Sequence, residues 1–155
     1  MKSIYVVLDN VRSAHNVGAI FRTADGAGVA KIFLVGVTPQ PIDRFGRAVS
    51  EIVKTSLGAT ESVPWEHCSD AATCIDMLRA LGVEIVAVEQ DTRSVLYSKH
   101  RPESDVAFVL GNEVDGVSQE FRDTADAIVE IPMHGVKESL NVATTAGIIL
   151  FSARE

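Results

Sequence analysis

Three short segments gather the residues able to do chemistry. The first is Asp9-Asn-Val-Arg-Ser-Ala-His-Asn-Val-Gly-Ala-Ile-Phe-Arg22. Asn16 has a side-chain oxygen suited to capping a helix, where it accepts a bond from an orphan N–H. Arg22 follows six residues on, among Val17, Ala19, Ile20, Phe21 and Ala24. A guanidinium in such company is costly unless it meets an anion or a carboxylate. The alternative is a surface Arg whose stem covers apolar neighbours, and spacing alone leaves both readings open. The second segment is Leu110-Gly-Asn-Glu-Val-Asp-Gly116. Gly111, directly after a strand-like run, lets backbone approach a ligand closely, and Glu113 can anchor a polar network beside it. A Gly-Asn turn with a neighbouring acid is also ordinary loop chemistry. The third is Ile131-Pro-Met-His-Gly-Val-Lys-Glu-Ser-Leu-Asn-Val142, where Ser139 or Asn141 opens an apolar helix. Helix N-termini present free N–H groups to ligands, although capping alone explains one of these two side chains.

The elements that must position these segments alternate. Ser3–Leu8, Lys31–Val35, Glu84–Val88, Val106–Leu110 and Ala127–Ile131 are apolar on both faces, the mark of strands in a buried parallel sheet. Ser62–Trp65 is a weaker sixth. Helical spacing runs over Asn16–Ala27, roughly Arg44–Leu57 and Ala71–Leu81, with Gly28, Gly58 and Gly82 where C-terminal caps belong. This alternation predicts an α/β fold with right-handed crossovers, and the three polar segments then fall at strand ends, where open α/β sheets bind ligands. The last predicted helix, Ser139–Arg154, is apolar on nearly every side. Its stripe at 140, 143, 146, 147, 150 and 151 is backed by Val142, Ile148 and Ile149. Such a helix needs cover on most faces, which favours a partner surface over packing on the sheet alone.

Composition narrows the class. The 155 residues are 46% hydrophobic and 23% charged, the usage of one globular domain rather than of a disordered or fibrous chain. Apolar runs stay far below the roughly 18 residues that span a bilayer, and Met1-Lys-Ser-Ile has no signal-peptide layout. Two cysteines, Cys68 and Cys74, predict reduced thiols in a cytoplasmic protein. With His67 they offer at most three metal ligands at odd spacing, so no metal is expected. G-x-G-x-x-G, G-x-x-x-x-G-K-[ST] and G-x-S-x-G are all absent. The net charge of −7 argues against a polyanionic partner, but its distribution weakens that argument. Residues 1–54 carry seven Lys/Arg against four acids, a local +3, and the remainder a local −10.

In order and separation, the three segments resemble the motifs of the SpoU (TrmH-type) branch of the SPOUT RNA 2'-O-ribose methyltransferases. N-x-G-x-x-x-R-T matches Asn16–Thr23, G-N-E-x-x-G matches Gly111–Gly116, and I-P-M-x-G-x-x-x-S-L-N-V matches Ile131–Val142. Lys54-Thr-Ser-Leu-Gly-Ala59 before Val63-Pro-Trp65 is similar to the family as well. The resemblance covers essentially the whole chain and implies a single domain over 1–155: an α/β trefoil knot that binds S-adenosylmethionine and methylates a ribose 2'-OH in tRNA or rRNA. It also implies a homodimer packed through the first and last helices. Carried over, Val88, Gly111, Ile131, Ser139 and Leu140 hold the cofactor, and Arg22 is the catalytic group with Asn16, Glu113, Ser139 and Asn141 around it. RNA phosphates are expected on Arg12, Arg44, Arg47 and Lys54 of the positively balanced segment. Val114 departs from the glycine many members have. The chain is expected to lack RNA-binding extensions, so that recognition uses the domain, its dimer surface or a helper protein. The competing reading is a non-catalytic RNA-binding or cofactor-sensing module on the same fold.

Overall fold

A computed structural model describes residues 1–155. Seven strands form one sheet in the order β3-β2-β1-β6-β4-β7-β5, and every neighbouring pair is parallel. The strands are β1 (Ile4–Asp9), β2 (Lys31–Val35), β3 (Trp65–Cys68), β4 (Glu84–Val88), β5 (Val95–Leu96), β6 (Val106–Gly111) and β7 (Ala127–Glu130). The helices are α1 (Ala14–Gly26), α2 (Ser50–Ser56), α3 (Ala59–Ser62), α4 (Ala71–Leu81), α5 (Gln119–Thr124) and α6 (Val142–Ser152).

β1 and β6 sit at the centre, paired from Ile4 with Val106 to Asp9 with Gly111. Side chains alternate across the sheet, so the two faces collect separate cores. One holds Ile20, Phe21, Ile52 and Leu150 under α1, α2 and α6. The other holds Phe33, Leu78, Ile85 and Phe121 under α4 and α5. Cys68 and Cys74 are free thiols in this second core, and burial pushes both above their ordinary pKa. No helix is long and apolar enough to cross a membrane.

Several sequence expectations need correction. The helix expected from Arg44 begins only at Ser50. Upstream, the carboxylate of Asp43 accepts the backbone N–H groups of Phe45 and Arg47, at 2.8 and 3.0 Å. Such local bonds compete with a helix, and Gly46 turns the chain at φ +77°. Gly58 does not cap α2: Leu57 takes the left-handed position, and Gly58 leads into α3. The sixth strand lies at Trp65–Cys68 rather than Ser62–Trp65, because α3 occupies Ala59–Ser62. Asn16 is not the N-cap of α1. Ser13 is, accepting the Asn16 N–H at 3.1 Å. The last helix starts at Val142 behind Asn141, whose side chain accepts the N–H groups of Ala143 and Thr144.

Candidate functional site

The carboxyl ends of β4, β6 and β7 open onto a cavity of about 540 Å³, within the usual range for a small-molecule site. Three chain segments meet there because parallel strands deliver all their outgoing loops to one edge. Val88, Gly111, Ile131, Ser139 and Leu140, expected to hold a cofactor, all line it, as do Glu113 and Asn141.

Asn16 lies buried just behind the cavity wall, where its side-chain oxygen accepts a 3.2 Å bond from Asn141 Nδ2. That bond joins the first turn of α1 to the cap of α6. Glu113 holds the loop before α1: its carboxylate oxygens accept the backbone N–H groups of Arg12 at 3.2 Å and Ser13 at 3.3 Å. Burial alone would raise the Glu113 pKa. Hydrogen bonds from its own backbone N–H, those of Arg12 and Ser13, and the Asn16 side chain outweigh burial, holding the carboxyl below its ordinary value. Glu113 therefore stays anionic at neutral pH and serves as an anchor.

Two glycines are there for close approach. A Cβ on Gly111 would collide with the backbone of Gly116 and Val117, which folds back over the strand end. A Cβ on Gly18 would strike Thr55 and the Ile52 backbone, so this motif glycine serves the packing of α1 on α2.

Arg22 is exposed and does not line the cavity of its own chain. It shares the outer face of α1 with His15, Ala19 and Gly26, at helical spacing. α6 runs beside this face, with Phe151 against Gly26 and Gly147 near Thr23. Arg12, Arg44, Arg47 and Lys54 are likewise exposed and outside the cavity. Arg47 pairs with Asp43 at 3.3 Å.

Sequence reasoning missed Glu89, Asn112 and Arg122. Glu89 accepts the Val117 N–H at 2.9 Å and so pins the loop over Gly111. Its signal was an acid directly after a strand apolar on both faces. Asn112 ties Asn10 to the Val114–Asp115 turn through three bonds. Arg122 reaches the cavity from α5, an element the periodicity did not mark.

The expected S-adenosylmethionine fits this donor set. The backbone N–H and C=O groups of Ile131 and Leu140, and those of Met133, have no protein partner. Open backbone edges beside apolar Val88, Leu110 and Val142 can receive the edge and faces of a purine. The acids Glu89, Glu113, Asp115 and Glu130 outnumber the single Arg122 around the cavity, which suits a cationic ligand.

Residues 3–151 match the model of the SpoU rRNA Methylase family, and the chain belongs to that family. Among curated relatives, it is 34% identical over 151 residues to the 23S rRNA (guanosine-2'-O-)-methyltransferase RlmB of Neisseria meningitidis, covering 97% of this chain and 58% of that protein. RlmB of Vibrio vulnificus is also 34% identical, over 97% of this chain and 58% of the relative. The chain thus spans less than two thirds of the length of these relatives. Among solved structures, the AdoMet-bound rRNA methyltransferase of Sinorhizobium meliloti superposes with a TM-score of 0.90 at 37% identity, over 98% of this chain and 56% of the other. The TrmH/SpoU tRNA modifying enzyme of A. aeolicus gives 0.84 at 30% identity, over 99% and 75%.

Proposed function

We propose that this protein transfers a methyl group from S-adenosylmethionine to a ribose 2'-hydroxyl of tRNA or rRNA. The observation that carries the reading is that the second and third motifs line one cavity, to which the Glu113 and Asn16–Asn141 bonds tie the start of the first. Bound S-adenosylmethionine supplies an electrophilic methyl on a sulfonium. The chain's own groups do the rest. Backbone at Ile131 and Leu140, with Val88, Gly111 and Ser139 beside it, holds the cofactor; Glu113, Asn16 and Asn141 fix the segments that carry the site. Fixing both reactants in attack geometry removes a large part of the barrier. The role of Arg22 is electrostatic: it stabilises negative charge developing on the 2'-oxygen and holds a neighbouring phosphate.

One observation favours the rival reading, a non-catalytic binding module: Arg22 stands outside its own cavity. A homodimer meets this objection. The outer faces of α1 and α6 present Ala19, Arg22, Gly26, Thr144, Ile148 and Phe151 with one charge among them. A second copy seated there covers the apolar residues and puts Arg22 within an interface rather than in open solvent. We place this protein in the cytoplasm, as one knotted domain acting without metal, with Arg12, Arg44, Arg47 and Lys54 on the RNA phosphates.

The test is methyl transfer from labelled S-adenosylmethionine to total tRNA and rRNA by wild type and Arg22→Ala. Loss of one preorganised charge at a reacting oxygen costs on the order of 10²–10³ in rate, with melting temperature and cofactor affinity unchanged. A folded, cofactor-binding Arg22→Ala protein with wild-type turnover overturns the role of Arg22. Absence of transfer by wild type to any RNA fraction favours the binding module.

A further inference from the structure

The loop between β2 and α2 holds a feature that methyl transfer leaves unused. Phe45 is 65% exposed at its tip. The guanidinium carbons of Arg44 and Arg47 lie 4.8 and 4.9 Å from its ring centroid, within cation–π range. The ring is held out by a built turn: Asp43 accepts the N–H groups of Phe45 and Arg47, its own N–H donates to the Arg47 carbonyl at 2.8 Å, and Ile42 bridges Ala48. Arg44 forms no ion pair.

This loop is rooted beside the cavity. The Val37 N–H donates to Asn10 Oδ1 at 3.0 Å, and Thr38 Oγ1 accepts the Val11 N–H at 3.1 Å. The Asn10 carbonyl accepts from Asn112 Nδ2 at 2.7 Å, and Arg12 and Ser13, two residues on, bind Glu113. The loop therefore leaves the same sheet edge as the site.

We infer that Phe45 is a base-stacking platform for single-stranded RNA flanking the target nucleotide, with Arg44 and Arg47 on the adjacent phosphates. An aromatic face flanked by guanidinium groups matches unpaired RNA, which offers flat bases and anionic linkages together. An acidic peptide would satisfy the two charges and leave the ring without a partner. On a chain of net charge −7, a pair of exposed guanidinium groups on a loop rooted at the site's sheet edge is where a polyanion can approach. The inference rests on the reading that the protein acts on RNA.

The test uses an oligoadenylate of about 12 nucleotides, a length within reach of one such surface, and an abasic ribose-phosphate chain of equal length, each titrated over a salt series. Phe45→Ala should weaken oligoadenylate binding by about 5- to 150-fold, the range for loss of one base–aromatic stack. The slope of log affinity on log salt, and binding of the abasic chain, should not change. Phe45→Trp should restore affinity. Arg44→Gln with Arg47→Gln should instead flatten the salt slope by roughly 1 to 1.5. Cofactor affinity, unchanged throughout, reports that each variant is folded. Wild-type oligoadenylate affinity in Phe45→Ala overturns the inference, as does an equal loss for the abasic chain. A change of oligomeric state without an RNA effect also overturns it and assigns the ring to a second copy. If Phe45→Ala binds and methylates RNA like wild type, only this inference fails; if wild type neither binds nor methylates RNA, the proposed function fails with it.

Discussion

On one face of the sheet, α4 and α5 cover the core around Phe33, Leu78 and Phe121, and turn Thr73, Asp76, Arg79, Glu120 and Asp123 outward. On the other, α1, α2 and α6 cover Ile20, Phe21 and Leu150, yet leave Val53, Leu57 and Phe151 largely in solvent. The first face is finished but for Leu81, 52% exposed at the end of α4, and is laced at its rim by Arg79–Asp126 and Arg93–Asp123. In the second, α6 has no charged residue on any side, whereas α1 and α2 turn Arg22, Asp25, Glu51 and Lys54 outward. Asn16 and Asn141 lie on this second, less finished side and bond behind the cavity wall, while Arg122 reaches the cavity from α5 of the first. The two layers thus differ in what they leave exposed more than in their part in the core or the cavity, to both of which each contributes.

The largest effect expected from that contrast is on stability. Phe121→Ala empties a fully buried ring site of the finished face and should cost about 3–5 kcal/mol. It should lower the thermal midpoint without altering oligomeric state or the cofactor affinity of the folded protein. Dimer dissociation in this variant, by light scattering, would break the contrast.

Next comes Phe151→Glu on the unfinished face. Phe151 is 49% exposed in the protomer, whereas Leu150, which the sequence pattern placed on the same stripe, is wholly buried. The charge should halve the solution mass while leaving the protomer folded, and methyl transfer should fall with it. A wild-type protein that is monomeric at micromolar concentration would remove the second face's special status.

The smallest effect concerns Glu113, whose folded-state pKa is depressed. A depressed carboxyl stabilises the fold above its unfolded pKa, near 4.3 for glutamate, and loses that contribution as pH falls through the lower folded value. The difference in thermal midpoint between wild type and Glu113→Gln should therefore be full at neutral pH and shrink in acid. A difference that grows on acidification would contradict the anchoring role.

How far the sequence could be read follows the same physics. β2 and β4 match their expected bounds because strands buried on both faces are continuous apolar runs. β5, two residues long, and α5, six, are too short to carry a period. The region 44–49 misled because its helical spacing is overridden by the Asp43 side chain and the turn at Gly46. The second and third motifs marked the cavity's lining, since Gly111 and Glu113 have roles tied to their residue types. Glu89 and Arg122 reach the same cavity through tertiary placement, which no spacing encodes. The position of Arg22 away from its own cavity was equally hidden, because helical periodicity gives a face and not the neighbour it meets.

The pairing of β1 with β6 has a consequence in time. Ile4 meets Val106, and the guanidinium of Arg154 bonds the carbonyls of Lys2, Ala27 and Gly28. During synthesis at about 5–20 residues per second, the first strand leaves the ribosome roughly 5–20 s before its central neighbour exists. Over that interval Ile4, Val6 and Val7 can pair only with β2, and one edge of what becomes the middle of the sheet stands open. Parallel pairings between distant segments also close slowly once the chain is released. The nascent protein should thus depend on chaperone shielding of its first strand, and refolding from denaturant should be slow and concentration-sensitive even where the finished molecule is stable.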